Sequence, residues 1–326
     1  MCLFVATTMD QLLQNFFKGD VRALSRIITR VENRSGDSLD ILRQLFPYTG
    51  RSQIIGITGS PGAGKSSLVD QLAIAYRKQE KTLGIVAVDP SSPFTGGAIL
   101  GDRIRMQTLG IDPGVYIRSM ATRGHLGGLA AATADVVTVL DAVGKDPVIV
   151  ETVGVGQDEI DIVKLADVSI VVLVPGMGDD IQALKAGIME IGDIFVINKA
   201  DRPGVEKMER AVLAVLSLAH RADMWEPPIV KTVATQGKGV DELVESIGRC
   251  YQFFKNSEAR IQKRKQAEEQ RLMKLLEERL IATAVQQVFP DGELSRLVTE
   301  ITERRQDPYS VVEKIIDTLR FQRLSN

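Results

Sequence analysis

The sequence predicts an α/β fold: a doubly wound, mostly parallel sheet with helical extensions at both ends. Three observations predict it. From Gln53 to about Phe254, short β-rich runs alternate with helical patterns, the order in which such a sheet is built. Most of these runs are apolar along their whole length, as strands buried on both faces must be. Before and after them, apolar residues recur at three-and-four spacing, the period of a helix.

The sections read in order. From Met9 to about Phe46, Leu12, Leu13, Phe16 and Phe17, then Leu24, Ile27, Ile28 and Val31, mark an N-terminal helical extension over 1–50. The α/β domain occupies 51–254, with strands expected at 53–58, 82–88, 115–118, 146–151, 168–174, 193–198 and 229–233. A C-terminal helical arm occupies 255–326. Its charged stretch Lys263-Arg264-Lys265 with Glu268-Glu269 reads as a solvated helix face. It leads into Leu272, Leu276 and Leu280, a stripe suited to a partner helix or a second copy of the chain. Pro290-Asp291-Gly292 breaks the helix, and Asp307-Pro308 has the form of an N-cap and first-turn proline opening a last one.

Composition excludes several classes. With 326 residues, 44% hydrophobic and 25% charged, the chain reads as a soluble globular protein. A net charge of −2 supplies no global field for nucleic acid. Cys2 and Cys250 build no disulfide framework, which suits a reducing, cytoplasmic compartment. His125 and His220 lie far apart and give no sign of a metal cluster. No apolar run approaches the ~18 residues of a membrane span. The apolar start Met1-Cys2-Leu3-Phe4-Val5 lacks a basic region and a cleavage pattern, so no signal peptide is expected, and Met9 is an alternative start.

Gly59-Ser60-Pro61-Gly62-Ala63-Gly64-Lys65-Ser66 fits the P-loop pattern, between a strand and a helix carrying Leu68, Leu72 and Tyr76 on one face. Glycines let the backbone curl so that its N–H groups, with those at Ser66 and Ser67, surround phosphates at the positive helix end. Lys65 is placed to reach the β and γ phosphates. Ser66 offers a hydroxyl to magnesium, a hard cation that takes oxygen ligands.

Strand 146–151 runs into Glu151-Thr152-Val153-Gly154-Val155-Gly156-Gln157, a carboxylate at a strand end followed three residues later by glycine. Glu151 is expected to hold magnesium through water, and the Gly154 amide to sense the γ phosphate. Gln157 and Asp158 are candidates for orienting water. Asp89, ending a strand, and Asp102, in Gly101-Asp102-Arg103-Ile104-Arg105, flank a long loop and are further magnesium or water candidates.

Asn198-Lys199-Ala200-Asp201 follows an apolar strand and has the Asn-Lys-x-Asp form that selects guanine. Asp201 can accept from the N1–H and exocyclic amine, which adenine does not offer, while the Lys199 stem covers the ring. Ala234-Thr235-Gln236-Gly237-Lys238-Gly239 is expected to complete the base pocket with backbone N–H groups.

With these pieces placed, Val88-Asp89-Pro90-Ser91-Ser92-Pro93, Gly96 to Met106 and Glu151 to Gln157 resemble one family. It is the P-loop GTPases of the methylmalonyl-CoA mutase-associated type, called MeaB in bacteria and MMAA in humans, also labelled ArgK. The resemblance spans about residues 10–320. It implies a magnesium-dependent, GTP- and GDP-binding homodimer that chaperones an adenosylcobalamin-dependent acyl-CoA mutase, gating cofactor delivery and protecting the enzyme. By position it implies nucleotide and magnesium roles for Lys65, Ser66, Asp89, Asp102 and Glu151. It also implies a third switch at Gly178 to Gly187, with Asp179 and Lys185 as coupling residues. The first eight residues hold no organellar transit signal, which favours a bacterial or archaeal cytoplasmic protein. Two rivals are a metallochaperone-type GTPase, which needs clustered Cys and His, and a transport-system kinase, the older meaning of ArgK, against which guanine selection speaks.

Overall fold

The computed structural model describes residues 2–89, 109–121, 128–152, 165–176, 192–218, 223–255, 257–289 and 293–323. Seven strands form one sheet: β1 (Gln53–Gly59), β2 (Leu83–Asp89), β3 (Val115–Ala121), β4 (Pro147–Glu151), β5 (Val168–Leu173), β6 (Ile194–Asn198) and β7 (Ile229–Thr232). Their order is β3-β2-β4-β1-β5-β6-β7, and every pairing is parallel. Each expected strand is present, and the mostly parallel sheet is parallel in all its pairings. All residues of β4, β5 and β6 are buried, since helices cover both faces of a parallel sheet.

Among the described residues the α-helices are α1 (Cys2–Phe17), α2 (Val21–Glu32), α3 (Ser38–Leu45), α4 (Lys65–Lys78), α5 (Gly128–Ala142), α6 (Val205–Leu218), α7 (Val240–Lys255), α8 (Glu258–Val288), α9 (Glu293–Thr302) and α10 (Pro308–Arg323). Alternation along the strands divides the core. Ile55, Ile57, Ile149, Ile170 and Val196 pack with Leu68 and Leu72 of α4 and with Leu243 and Ile247 of α7. The opposite positions Ile54, Val86, Val88, Val148 and Val150 pack with α5 and with α1 to α3. On that same side, Val171, Leu173, Phe195 and Ile197 meet Met208 and Val212 of α6.

The N-terminal helices therefore contribute directly to the sheet's core. α2 starts where the Asp20 carboxylate accepts from the amides of Arg22 and Ala23 at 2.7 and 2.9 Å. It buries Leu24, Ile27, Ile28 and Val31. At its end, Glu32 pairs with Arg118 of β3, and both side chains are largely out of solvent. The Asp141 carboxylate, near the end of α5, accepts from the amides of Gly50, Arg51 and Ser52, fastening the link between α3 and β1.

The amino ends of the strands share one device. Asp146, Asp167 and Asp193 each precede a strand and accept from the amide of Thr82, Ile54 and Ser169 respectively, at 2.7, 3.0 and 2.9 Å. These bonds fasten the end of the sheet opposite the P-loop.

The chain divides into two compact units, residues 1–264 and 265–326. In the second, the amide of Ser310 donates to the Asp307 carboxylate at 2.8 Å, capping α10. Hydrogen bonds from the Ser310 hydroxyl and then its amide hold the Asp307 carboxyl below the usual range. Leu272, Leu276 and Leu280 of α8 are about half or more exposed.

Candidate functional site

β1 lies inside the sheet, with β4 and β5 as its neighbours. Open parallel sheets bind ligands beyond the carboxyl ends of such strands. The turn after β1 is built on two glycines that tolerate no side chain. A Cβ on Gly59 would lie 2.2 Å from the Val172 carbonyl oxygen of β5, and one on Gly64 would lie 2.5 Å from Asn198 Nδ2. Gly64, at φ +89°, sits in the left-handed region and delivers the chain into α4.

α4 begins at Lys65, so its free amides face the turn. Lys65, 6% exposed, folds over the loop, its Nζ donating to the carbonyl oxygens of Gly59 and Ser60 at 2.7 and 3.1 Å. Ser66 Oγ donates to Glu151 Oε1 at 2.7 Å, joining α4 to the end of β4. Two oxygen donors that lie far apart in sequence thus meet beside the loop. Hydroxyl and carboxylate are the ligand types magnesium takes, so this pair fits the ion.

Asn198 closes the other side. Its Nδ2 donates to the Ala63 carbonyl at 2.9 Å, while Oδ1 accepts from the Thr232 hydroxyl and the Ala234 amide, each at 3.1 Å. It is 2% exposed and clasps the P-loop to the end of β7. Sequence reading placed Asn198 among the nucleotide-binding residues, and the structure sets it against the P-loop. Lys199, at φ +57°, extends Nζ to the Gly62 carbonyl at 2.7 Å. Asp201, two positions on, is exposed; after β7, Thr235 and Gln236 are exposed and Ala234 is buried.

Lys65, Ser66 and Glu151 are thus brought together, and Asn198 and Lys199 reach the same loop from β6. Pro61, Gly62, Ala63 and Ser67 lie in the loop or the first turn of α4. Asp89 closes β2 beside β4, with only its backbone described. Asp102, Gly154, Gln157, Asp158, Asp179 and Lys185 lie outside the described residues.

A family model described as methylmalonyl Co-A mutase-associated GTPase MeaB matches residues 24–288. The chain belongs to the MeaB family of GTPases. A protein of Pyrococcus abyssi (strain GE5 / Orsay) with a provisional GTPase name is 48% identical over 311 residues, covering 94% of this chain and 96% of its own. GTPase ArgK of Escherichia coli (strain K12) is 35% identical over 248 residues, 74% of this chain and 75% of its own. The crystal structure of an LAO/AO transport system kinase superposes with a TM-score of 0.71 over 96% of this chain and 98% of that one. At 24% sequence identity that likeness is one of fold.

The MeaB-family match extends beyond the sheet at both ends, from within α2 through α8. Sequence reasoning missed the Asn198 clasp and the Thr232 hydroxyl that supports it. The asparagine is visible in its motif, but nothing local signals a partner 135 positions away. No described helix is long and apolar enough to cross a membrane, and the described residues contain no cluster of three metal-ligating side chains.

Proposed function

We propose that this MeaB-family GTPase binds GTP with magnesium, hydrolyses it slowly to GDP and phosphate, and in that cycle assists an adenosylcobalamin-dependent acyl-CoA mutase in cofactor loading and protection. The observation that carries the nucleotide reading is the 2.7 Å bond between Ser66 of the P-loop helix and Glu151 at the end of β4. The family description, which names methylmalonyl-CoA mutase, supports the partner class. The rival kinase reading rests on an older label, to which the kinase structure adds a likeness of fold alone, whereas the sequence relatives carry GTPase names.

In this reading the loop amides and the start of α4 bind the phosphate oxygens. Lys65 leaves the Gly59 and Ser60 carbonyls for the β and γ phosphates. Ser66 and Glu151 hold magnesium, with Asp89 and Asp102 as further donors around it, and Gly154 follows the γ phosphate. Bound magnesium neutralises charge building on the phosphate oxygens. Water attacks the γ phosphorus as its bond to the β–γ bridging oxygen breaks, giving GDP and inorganic phosphate. No arginine finger is assigned, so isolated turnover is expected at about 10⁻⁴ to 10⁻² per second.

Asp201 reads the base, with the Lys199 stem along its face and the amides of Ala234, Thr235 and Gln236 at its edge. A hydrogen bond to a charged group contributes about 1.5–3 kcal/mol, so ATP should bind ~10-fold or more weakly. Asp201→Asn should weaken GTP and improve xanthosine triphosphate, because the amide donates to the new oxygen. Competition binding reads this directly. A variant that keeps parental GTP affinity while still excluding ATP removes Asp201 from the base site.

The partner reading turns on Asp179 and Lys185. Coupling requires that the mutase contact two states of the GTPase differently. Asp179→Ala and Lys185→Ala should leave basal hydrolysis within about threefold yet abolish its acceleration by the cognate mutase, a loss within the usual range of coupling energies. Assays with and without the mutase decide it. Both variants stimulated like the parent would leave the coupling without these residues.

Homodimerisation is proposed through the exposed Leu272, Leu276 and Leu280 stripe. A Leu276→Glu/Leu280→Glu double substitution should reduce the mass seen by light scattering to one chain. An unchanged dimer mass would move the interface elsewhere.

A further inference from the structure

The strands on either side of β1 leave it at different heights. Pairing with β5 continues to Gly59↔Val172, but pairing with β4 ends at Ile57↔Glu151. One more backbone bond follows, from the Thr152 amide to the Ile57 carbonyl at 3.0 Å. Beyond it a side-chain pair takes over: Thr152 Oγ1 donates to Thr58 Oγ1 at 3.1 Å, and both residues are 1% exposed. Thr58 immediately precedes the P-loop, and Thr152 immediately follows Glu151. On the other side, a Cβ at Gly59 would lie 2.2 Å from the Val172 carbonyl oxygen, so the loop's origin has no room for a side chain there.

We infer that the Thr58–Thr152 hydroxyl pair is a positioning element: it holds the end of β4 so that the Glu151 carboxylate reaches the magnesium-binding position beside Ser66. The inference deepens the proposed GTP and magnesium site and rests on it. Neither threonine touches the ligand in this account. Valine keeps the branched shape of both side chains and removes only the hydroxyls, which extend the registration of the two strands one position beyond the backbone bonds. Removing the Thr152 hydroxyl takes a donor from buried Thr58 Oγ1, and removing that of Thr58 leaves Thr152 Oγ1 only the long 3.5 Å contact with the Ile57 carbonyl, whereas replacing both by apolar groups of the same shape is nearly neutral for stability. The double substitution therefore separates positioning from folding.

The experiment measures binding of a fluorescent GDP analogue with and without magnesium, together with hydrolysis and thermal melting, for the parent and Thr58→Val/Thr152→Val. The double variant should melt like the parent and bind GDP equally without magnesium. The tightening that magnesium adds should fall by about 2- to 10-fold, the range expected for one lost hydrogen bond, and saturating magnesium should restore most of the hydrolysis. A parental magnesium response in the double variant overturns the inference alone. A parent whose nucleotide affinity ignores magnesium overturns the site reading beneath it. If the double variant fails to fold, Thr152→Ser and Thr152→Ala, which both lose the methyl, give the same information. Serine should keep the magnesium response and alanine lose it; equal responses overturn the inference.

Discussion

Replacing Lys65 by alanine should lower single-turnover GTP hydrolysis by about 10²- to 10³-fold, the effect typical of removing one preorganised donor from a transition state. The side chain is 6% exposed and lies against the Gly59 and Ser60 carbonyls, so its ammonium is already within the loop that would receive the phosphates. Exchanging those carbonyls for phosphate oxygens replaces neutral acceptors by anionic ones, which adds the attraction of opposite charges to bonds the ammonium already makes. Alanine removes this while leaving the loop amides and the start of α4, so nucleotide binding should weaken less than hydrolysis. Hydrolysis at the parental rate would exclude Lys65 from the mechanism. Glu151→Ala should also slow turnover, with an added demand for magnesium, because Ser66 loses the carboxylate it meets at 2.7 Å.

A chain beginning at Arg51 should fail to fold. Phe16, Ile27, Ile28, Ile41 and Leu45 are fully buried against Val86, Val88, Val148 and Val150 of the sheet and Val136, Val139 and Leu140 of α5. Burying a side chain of this size contributes about 1.5–3 kcal/mol, so these five alone approach the roughly 5–15 kcal/mol that keeps a domain folded. The deletion also strips Arg118 of Glu32, leaving a mostly buried guanidinium without that partner. Circular dichroism should show no cooperative melting for the truncated chain. The milder Ile28→Ala should cost about 2–5 kcal/mol and lower the melting temperature of an otherwise folded protein. A truncated chain that melts cooperatively would show that the sheet supports itself without α1 to α3.

Both results bear on how the site is carried. The P-loop and the end of β4 need only a rigid sheet beneath them, and the sheet is rigid because helices cover both faces. The helices before Arg51 supply much of one cover. The carboxylates of Asp146, Asp167 and Asp193 fasten the opposite end. A side chain at Gly59 or Gly64 would collide with Val172 or Asn198, so the loop runs close along β5 and β6, and shifts in those strands reach the phosphate site directly.

The sequence by itself determined what depends on local pattern. Apolar runs such as Val148 to Val150 and Val168 to Leu173 announced strands, because a segment buried on both faces can carry few polar residues. The P-loop and the Asn-Lys-x-Asp segment were legible because each is a short run whose chemistry needs particular residues in a particular order. Periodicity likewise marked Leu24, Ile27, Ile28 and Val31 as one face of a helix. What that face covers was decided only by the tertiary structure, where it closes the core over β2 and β4. The meeting of Ser66 with Glu151, the clasp of Asn198 on Ala63 and Ala234, and the pairing of Thr58 with Thr152 were decided there too. The reason is physical: a period records that a residue must leave water, and a motif records which groups must stand side by side along the chain. A hydrogen bond between residues far apart in sequence leaves neither trace, because its partners are brought together by the order of strands in the sheet.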